Sequence, residues 1–90
     1  MISQSVQIIN RLGLHARPSA MLVSTAAKFQ SEVFFTKDGL RVNGKSIMGV
    51  MMLAAEAGSI LLVEVSGPDE AEALAAVAQV IASGFGETES

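Results

Sequence analysis

The chain has 90 residues, a net charge of −3 at pH 7 and no cysteine. This length suits one small domain, residues 1–90, and is too short for two, while the absence of cysteine excludes a disulfide framework. The six basic residues are scattered, with no basic stripe that alternates with aromatic side chains, so nucleic-acid binding is disfavoured.

The first 30 residues predict a strand and a helix. Apolar side chains at even spacing predict a half-buried strand over residues 2–9. Pro18 lacks an N–H, which is tolerated in the first turn of a helix, and good helix formers follow it as far as Phe29 or Gln30. The predicted buried side chains of this helix are Ala20, Val23 and Ala27, with Met21 or Leu22 as a further candidate.

The middle of the chain predicts a hairpin and a short helix. A strand over 32–36 is joined to one over 40–43 by Asp38-Gly39, which accepts the positive φ angles of a tight turn. Ser46 can cap a short helix from residue 47 to about residue 54.

The last third predicts a strand followed by a long helix. Gly58 allows a chain reversal before a strongly apolar strand over 60–65. Pro68 fits the first turn of the last helix, Gly84 should end it, and the tail over 86–90 should be frayed. The apolar positions that repeat at helical spacing are Leu74, Val77, Ala78 and Ile81.

The element order β-α-β-β-α-β-α favours an α+β domain, with an antiparallel sheet covered by helices on one face. The N-terminal residues do not resemble a signal peptide, and the longest nearly uninterrupted apolar stretch spans only about half of the ~20 residues that a membrane segment needs. We therefore expect a soluble protein that does not enter the membrane, and the absence of cysteine agrees with a cytoplasmic location.

The only histidine lies in the run Gly13-Leu14-His15-Ala16-Arg17-Pro18, at the start of the first helix. His15 should lie at or next to the N-cap, where the backbone N–H groups of Ala16 and Arg17 and the helix dipole favour an anion. The guanidinium of Arg17 adds donors that match phosphate oxygens. The helix terminus and Arg17 also disfavour an imidazolium, so we expect a neutral nucleophile at pH 7. These residues predict a site that holds a phosphoryl group.

Two alternatives stay open from the residues alone. A lone histidine often serves only as a helix cap, which would make the chain a non-catalytic regulatory interaction module. A metal site is weaker, because one histidine and no cysteine leave only scattered carboxylates as further ligands, and no metal or cofactor is expected.

Arg11, Arg17 and Lys45 could gather near His15 into a patch that suits acidic partner proteins.

A second motif, the segment 44–53, is apolar on almost every face of its short helix. A helix packed on a sheet can bury only one side. The residues that suffice for that side are Val50, Leu53 and Ala54. The residues that would then be exposed as a soft docking surface are Ile47, Met48 and Met51, although the residues alone favour an irregular core.

The chain resembles the HPr family, the histidine-containing phosphocarriers of the phosphoenolpyruvate-dependent phosphotransferase system. Two runs carry the resemblance: Gly13-Leu14-His15-Ala16-Arg17-Pro18 and Lys45-Ser46-Ile47-Met48-Gly49-Val50. The resemblance covers essentially the whole chain, with both motifs at the family's usual spacing. It implies an open-faced β-sandwich, in which a four-stranded antiparallel sheet of order 1-4-2-3 is covered on one face by three helices. Ser19, where alanine is common, is a small departure.

The resemblance also implies a function for each motif. His15 would accept a phosphoryl group on Nδ1 from Enzyme I and pass it to Enzyme IIA proteins, with Arg17 in the same catalytic site. The chain would be a phosphoryl-transfer intermediate rather than a stand-alone enzyme, and a monomer. The exposed residues of the second motif would dock these partners, which reverses the preference for a core role.

Ser46 has two interpretations that do not exclude each other. As an N-cap it stabilises its helix by about 1 kcal/mol relative to alanine. In part of the family the matching serine is also phosphorylated by an HPr kinase/phosphorylase, and that phosphate would place negative charge beside the docking surface. The segment 67–77 and the run 83–85 resemble nitrogen-branch members, whereas the Ser46 motif resembles regulated members, so sugar and nitrogen-related systems both stay open.

Overall fold

The computed structural model describes residues 1–87. These residues form strands and helices in the order that the sequence predicts, with a short 3₁₀ turn at the end. The strands are β1 (Ile2–Gln7), β2 (Glu32–Lys37), β3 (Leu40–Asn43) and β4 (Ile60–Ser66). The helices are α1 (Ala16–Ala27), α2 (Ile47–Met52) and α3 (Glu70–Ala82), and the 3₁₀ turn is Gly84–Gly86.

The strands form one antiparallel sheet in the order β1-β4-β2-β3. In its middle, Val63 of β4 lies opposite Gln4 of β1 and Phe35 of β2. Alternate residues of β4 are buried, as expected for a strand with one covered face. The α+β class, the strand order and the open-faced sandwich are therefore confirmed.

The core lies between this sheet and the helices. Helix α3 packs on β1 and β4, and α1 packs against α3. The buried core residues of these elements include Leu22, Ala26, Val33, Phe35, Leu61, Val63, Val65, Ala73, Val77 and Ile81. The chain has only four aromatic residues, all of them phenylalanine. Each buried Val or Leu side chain contributes roughly 1.5–3 kcal/mol, so aliphatic packing accounts for most of the stabilisation of this core.

The predicted buried face of α1 was wrong by about one residue. Ala20 and Ala27 are exposed and Val23 is half-buried, whereas the buried residues are Pro18, Ser19, Leu22 and Ala26. Of the two further candidates, Leu22 is buried as predicted and Met21 is half-buried. Ser19 can be buried because its hydroxyl donates to the Leu14 carbonyl at 3.1 Å. A polar residue therefore occupies the core-facing stripe, which apolar spacing could not indicate. The helix also ends at Ala27, earlier than predicted.

Two other helix boundaries differ from the prediction. Pro68 precedes the N-cap Asp69 and is therefore not in the first turn of α3. The Asp69 carboxylate does not cap this helix and accepts hydrogen bonds from the N–H groups of residues 30 and 31. Helix α2 ends at Met52, and Ala54 is exposed with φ of 48°, so Ala54 is not the core residue that we predicted. A left-handed backbone ends the helix before that position.

The turn predictions are confirmed, and the tail prediction is wrong in part. Asp38 and Gly39 have φ of 50° and 82°, as a tight β2–β3 turn requires, and Gly84 has φ of 68° after the end of α3. The predicted frayed tail begins with Gly86 in the 3₁₀ turn and Glu87, whose side chain is hydrogen-bonded; the rest of that tail lies outside the described residues. No helix within residues 1–87 has the length and apolar character to cross a membrane.

Candidate functional site

His15 lies at the N-cap of α1, as predicted. Its N–H donates to the Gly13 carbonyl at 3.0 Å, and its carbonyl accepts from the Ser19 N–H at 3.0 Å. Within residues 1–87 its side chain makes no capping hydrogen bond to the first turn of the helix. The backbone of His15 starts the helix, and its imidazole is left to make other contacts.

The loop before His15 is held against the segment that follows α2. The Leu14 N–H donates to the Ala55 carbonyl at 2.8 Å, and the Leu14 side chain is buried. Gly13 has φ of +68°, and a Cβ at that position would lie 2.4 Å from the Ala55 oxygen. Only glycine allows this close approach. Gly13 therefore determines the position of the backbone that leads into His15.

The imidazole contacts a carboxylate that the sequence analysis missed. His15 Nε2 lies 2.7 Å from Glu87 Oε2, and Glu87 Oε1 accepts from Asn10 Nδ2 at 2.9 Å. The hydrogen bond from Asn10, followed by the one from His15, lowers the pKa of the Glu87 carboxyl, and the nearby charge of Arg17 acts in the same direction. The local sequence around His15 could not indicate this negative neighbour.

Backbone and side-chain donors surround the start of α1. The N–H groups of Ala16 and Arg17 belong to the first turn, where a helix provides no acceptor of its own, and Pro18 has no N–H. Arg17 is exposed and close enough for its charge to act on Glu87. Beside the Glu87 carboxylate, this end of α1 thus presents exposed N–H and guanidinium donors of the kind that bind anions.

The expected gathering of basic residues around His15 is wrong for Lys45. Its Nζ donates to the Phe29 carbonyl at 2.7 Å, beyond the C-terminal end of α1. Helix α1 has 12 residues, so about 18 Å of helix separates that contact from His15. The Lys45 ammonium group therefore lies just beyond the C-terminal, negative end of α1. Arg11 is exposed on the loop that leads to His15.

Helix α2 presents an exposed apolar surface. Val50 and Leu53 are buried, and Met48 is 79% exposed. We define the α2 surface as Ile47, Met48, Met51 and Met52, all of them exposed. Exposure of the first three follows the prediction, and Met52 was missed because apolar spacing alone could not show where the short helix ends.

Ser46 is the N-cap of α2, as predicted. Its Oγ accepts from the Gly49 N–H at 3.1 Å, and the side chain is only half-buried. Among residues 1–87 no group of three or more His, Asp or Glu side chains could hold a metal ion.

In both sequence and fold the chain is similar to histidine-containing phosphocarriers. The family model described as "PTS HPr component phosphorylation site" matches residues 2–83. Phosphocarrier protein HPr of Neisseria meningitidis serogroup A is 55% identical over 89 residues, which cover 99% of this chain and 100% of that protein. The crystal structure of HPr-C-His from Thermoanaerobacter tengcongensis superposes with a TM-score of 0.95 at 44% identity, covering 99% of this chain and 100% of that one. The chain belongs to the HPr family of the phosphotransferase system.

Some similar structures are dimers. The HPr dimer from Thermoanaerobacter tengcongensis is 45% identical, with a TM-score of 0.78 and coverage of 97% of this chain and 100% of that one. The family membership of this chain therefore does not itself specify a monomer.

Proposed function

We propose that this protein accepts a phosphoryl group on His15 from Enzyme I and passes it to Enzyme IIA proteins of a sugar or nitrogen-related phosphotransferase system. The observation that supports this most directly is that the His15 side chain contacts Glu87 and is not used to cap the helix. It occupies the N-cap position but, within the described residues, it does not cap the helix. A role as a helix cap alone does not account for this arrangement.

The chemistry follows from the groups around His15. A neutral imidazole nitrogen forms a bond to phosphorus while the bond from phosphorus to the donor breaks, and the electron pair of that bond returns to the donor. The N–H groups of Ala16 and Arg17 and the Arg17 guanidinium can neutralise the phosphoryl oxygens during the transfer. Most of the remaining stabilisation comes from the partner protein, since phosphoryl transfer depends on positioning and charge.

The α2 surface is the proposed docking site for these partners. Ile47, Met48 and Met51 are exposed on a helix that packs against α1, the helix that His15 begins. Methionine side chains are flexible and polarisable, which suits a surface that must fit several proteins in turn.

Ser46 is the proposed regulatory site. Ser46 is half-buried and immediately precedes Ile47 of the α2 surface. Phosphorylation by an HPr kinase/phosphorylase would add about −1.5 to −2 charges there at pH 7 and would weaken docking of partners on an apolar surface.

We further propose that residues 1–90 act as one carrier domain, as a cytoplasmic monomer. The net charge of −3 opposes self-association, although similar proteins that form dimers make this a quantity to measure. Light scattering after size exclusion, at the protein concentration used for transfer assays, gives the mass directly.

Intact mass spectrometry tests the central proposal. Incubation with phosphoenolpyruvate and Enzyme I should add one phosphoryl group, about 80 Da, to the wild-type protein. The His15→Ala variant should fold normally and show no gain. A gain in the variant would move the acceptor away from His15, and no gain in either protein would favour a non-catalytic interaction module.

A further inference from the structure

Glu87 is held in place by the chain that precedes it. After α3 the backbone passes through Gly84, Phe85 and Gly86, all with positive φ. The Phe85 side chain is fully buried. The Glu87 N–H then donates to the Gly84 carbonyl at 3.1 Å. This reversal returns the chain to His15, which is 72 residues away in sequence.

Asn10 fixes the other end of the carboxylate. It is 2% exposed, and its Nδ2 donates to the Gly13 carbonyl at 2.7 Å and to Glu87 Oε1 at 2.9 Å. Both N–H donors of the amide are therefore used, and the second of them requires an acceptor at Glu87. The Asn10–Gly13 hydrogen bond lies in the loop that leads into His15. The buried Asn10 amide therefore holds the Glu87 carboxylate in a fixed position relative to the His15 backbone.

The contact decides which imidazole nitrogen is free. An ionised carboxylate can only accept, so Nε2 carries the proton that is shared with Glu87 Oε2 at 2.7 Å, and Nδ1 keeps its lone pair. We propose that Glu87 is a positioning residue for phosphoryl transfer, which holds the His15 ring by Nε2–H and presents Nδ1 as the nucleophile. This inference rests on the proposed function of His15.

The same contact stabilises charge during transfer. When the Nδ1 lone pair forms the bond to phosphorus and the donor's bond breaks, the proton stays on Nε2 and the ring becomes positive. The Glu87 carboxylate opposes this charge, as the aspartate of a serine-protease triad does for its imidazolium. When the phosphoryl group leaves for an acceptor, the electron pair returns to Nδ1 and the ring is neutral again. No proton needs to enter or leave in either step.

Three variants separate charge from shape. Glu87→Gln keeps the size of the side chain but replaces one carboxylate oxygen with an NH₂ group. That NH₂ group must face either His15 Nε2–H or Asn10 Nδ2, both of which are donors, so one of the two hydrogen bonds is lost. Glu87→Asp keeps the charge on a shorter side chain. Glu72→Gln is the matched control, because Glu72 is exposed in the first turn of α3. The N-cap of α3 contacts Gln30 and Ser31, at the opposite end of α1 from His15.

The experiment joins a spectroscopic measurement and a rate. In the unphosphorylated wild type and in Glu72→Gln, ¹H–¹⁵N spectra of the imidazole should show a protected Nε2–H and an unprotonated Nδ1. In Glu87→Gln the protected proton should be lost, and single-turnover transfer from phosphorylated Enzyme I should slow by about 10- to 100-fold, with Glu87→Asp between. If the contact has only a structural role, folded Glu87→Gln loses the protected proton but transfers at the wild-type rate.

The outcomes distinguish this inference from the proposed function. If the wild type accepts phosphate and all three variants transfer at its rate, Glu87 is not a positioning residue while His15 remains the acceptor. An Nε2 without a bound proton in the wild type contradicts the inference in the same way. A wild-type protein that accepts no phosphate overturns both.

Discussion

Arg17 is the side chain that best separates a phosphoryl site from an ordinary helix start. It is exposed in the first turn of α1, so its loss should change the free energy of unfolding by no more than about 0.5 kcal/mol. If it neutralises the phosphoryl oxygens, Arg17→Ala should slow transfer by on the order of 10- to 1,000-fold. Arg17→Lys should recover only part of the rate, since an ammonium cannot form the planar fork.

Quenched-flow transfer from phosphorylated Enzyme I measures this effect. Lys28→Ala is the control, because it removes an equal charge from an exposed residue at the other end of α1. Equal rates for the wild type and both Arg17 variants would remove Arg17 from the site.

At the residue scale, the sequence predicted the groups that are close together in the chain. His15, Ala16 and Arg17 follow from one run before a proline, because helix termini have known chemistry. Glu87 could not be found in this way. Its position depends on three consecutive positive-φ residues, one of them Phe85, which ordinarily would not be expected there. Nothing in the local sequence relates it to a histidine 72 residues earlier.

At the scale of elements, α2 has two faces with different expected roles. Met48 is 79% exposed, whereas Leu53, just after the helix, is 4% exposed. Met48→Ala or Met51→Ala should therefore change the free energy of unfolding by less than ~1 kcal/mol, while Leu53→Ala should cost about 2–5 kcal/mol. If the α2 surface is a docking site, both methionine variants should raise the Kd for Enzyme I.

Calorimetric titration of Enzyme I, combined with urea unfolding of each variant, checks this prediction. Leu53→Ala serves as the matched control for stability and should bind with an unchanged Kd at temperatures where it is folded. Methionine variants that are strongly destabilised but bind normally would assign the α2 surface to the core.

Periodicity predicted which elements exist better than it predicted the faces that they bury. The tight turn at Asp38-Gly39 and the capping by Ser46 are local effects, and both are confirmed. The buried face of α1 depends instead on the Ser19 hydroxyl reaching the Leu14 carbonyl, a contact outside the helix. A helix rich in alanine defines its apolar stripe weakly, so one buried serine is enough to shift the prediction.

At the scale of the whole molecule, Asp69 joins two segments at the end opposite His15. Its carboxylate accepts from the Gln30 and Ser31 N–H groups, both at 2.9 Å, and from the Ser31 hydroxyl at 2.5 Å. Gly67 makes the approach possible, since a Cβ there would lie 2.6 Å from the Ser31 Cα. The Asp69 carboxylate and the Ser31 hydroxyl thus join the β4–α3 connection to the α1–β2 connection.

This contact predicts how stability depends on pH. The hydrogen bond from the Ser31 hydroxyl, followed by that from the Gln30 N–H, lowers the pKa of the Asp69 carboxyl. The unfolded chain, in which an aspartate titrates near pH 3.9, then binds a proton more readily than the folded protein. The stabilisation is fully present above about pH 4 and is lost as the pH falls through the lower folded pKa of Asp69.

Asp69→Asn tests the sign of this linkage. At pH 7 the variant should unfold at a lower urea concentration than the wild type, because an amide cannot accept all three hydrogen bonds. Below about pH 4 the two midpoints should converge, since the wild type loses the stabilisation that the variant already lacks. Asp38→Asn removes the same charge from an exposed turn and should follow the wild-type curve. Urea midpoints measured from pH 7 down to pH 2.5 would contradict the assignment if the Asp69→Asn and wild-type curves ran parallel throughout.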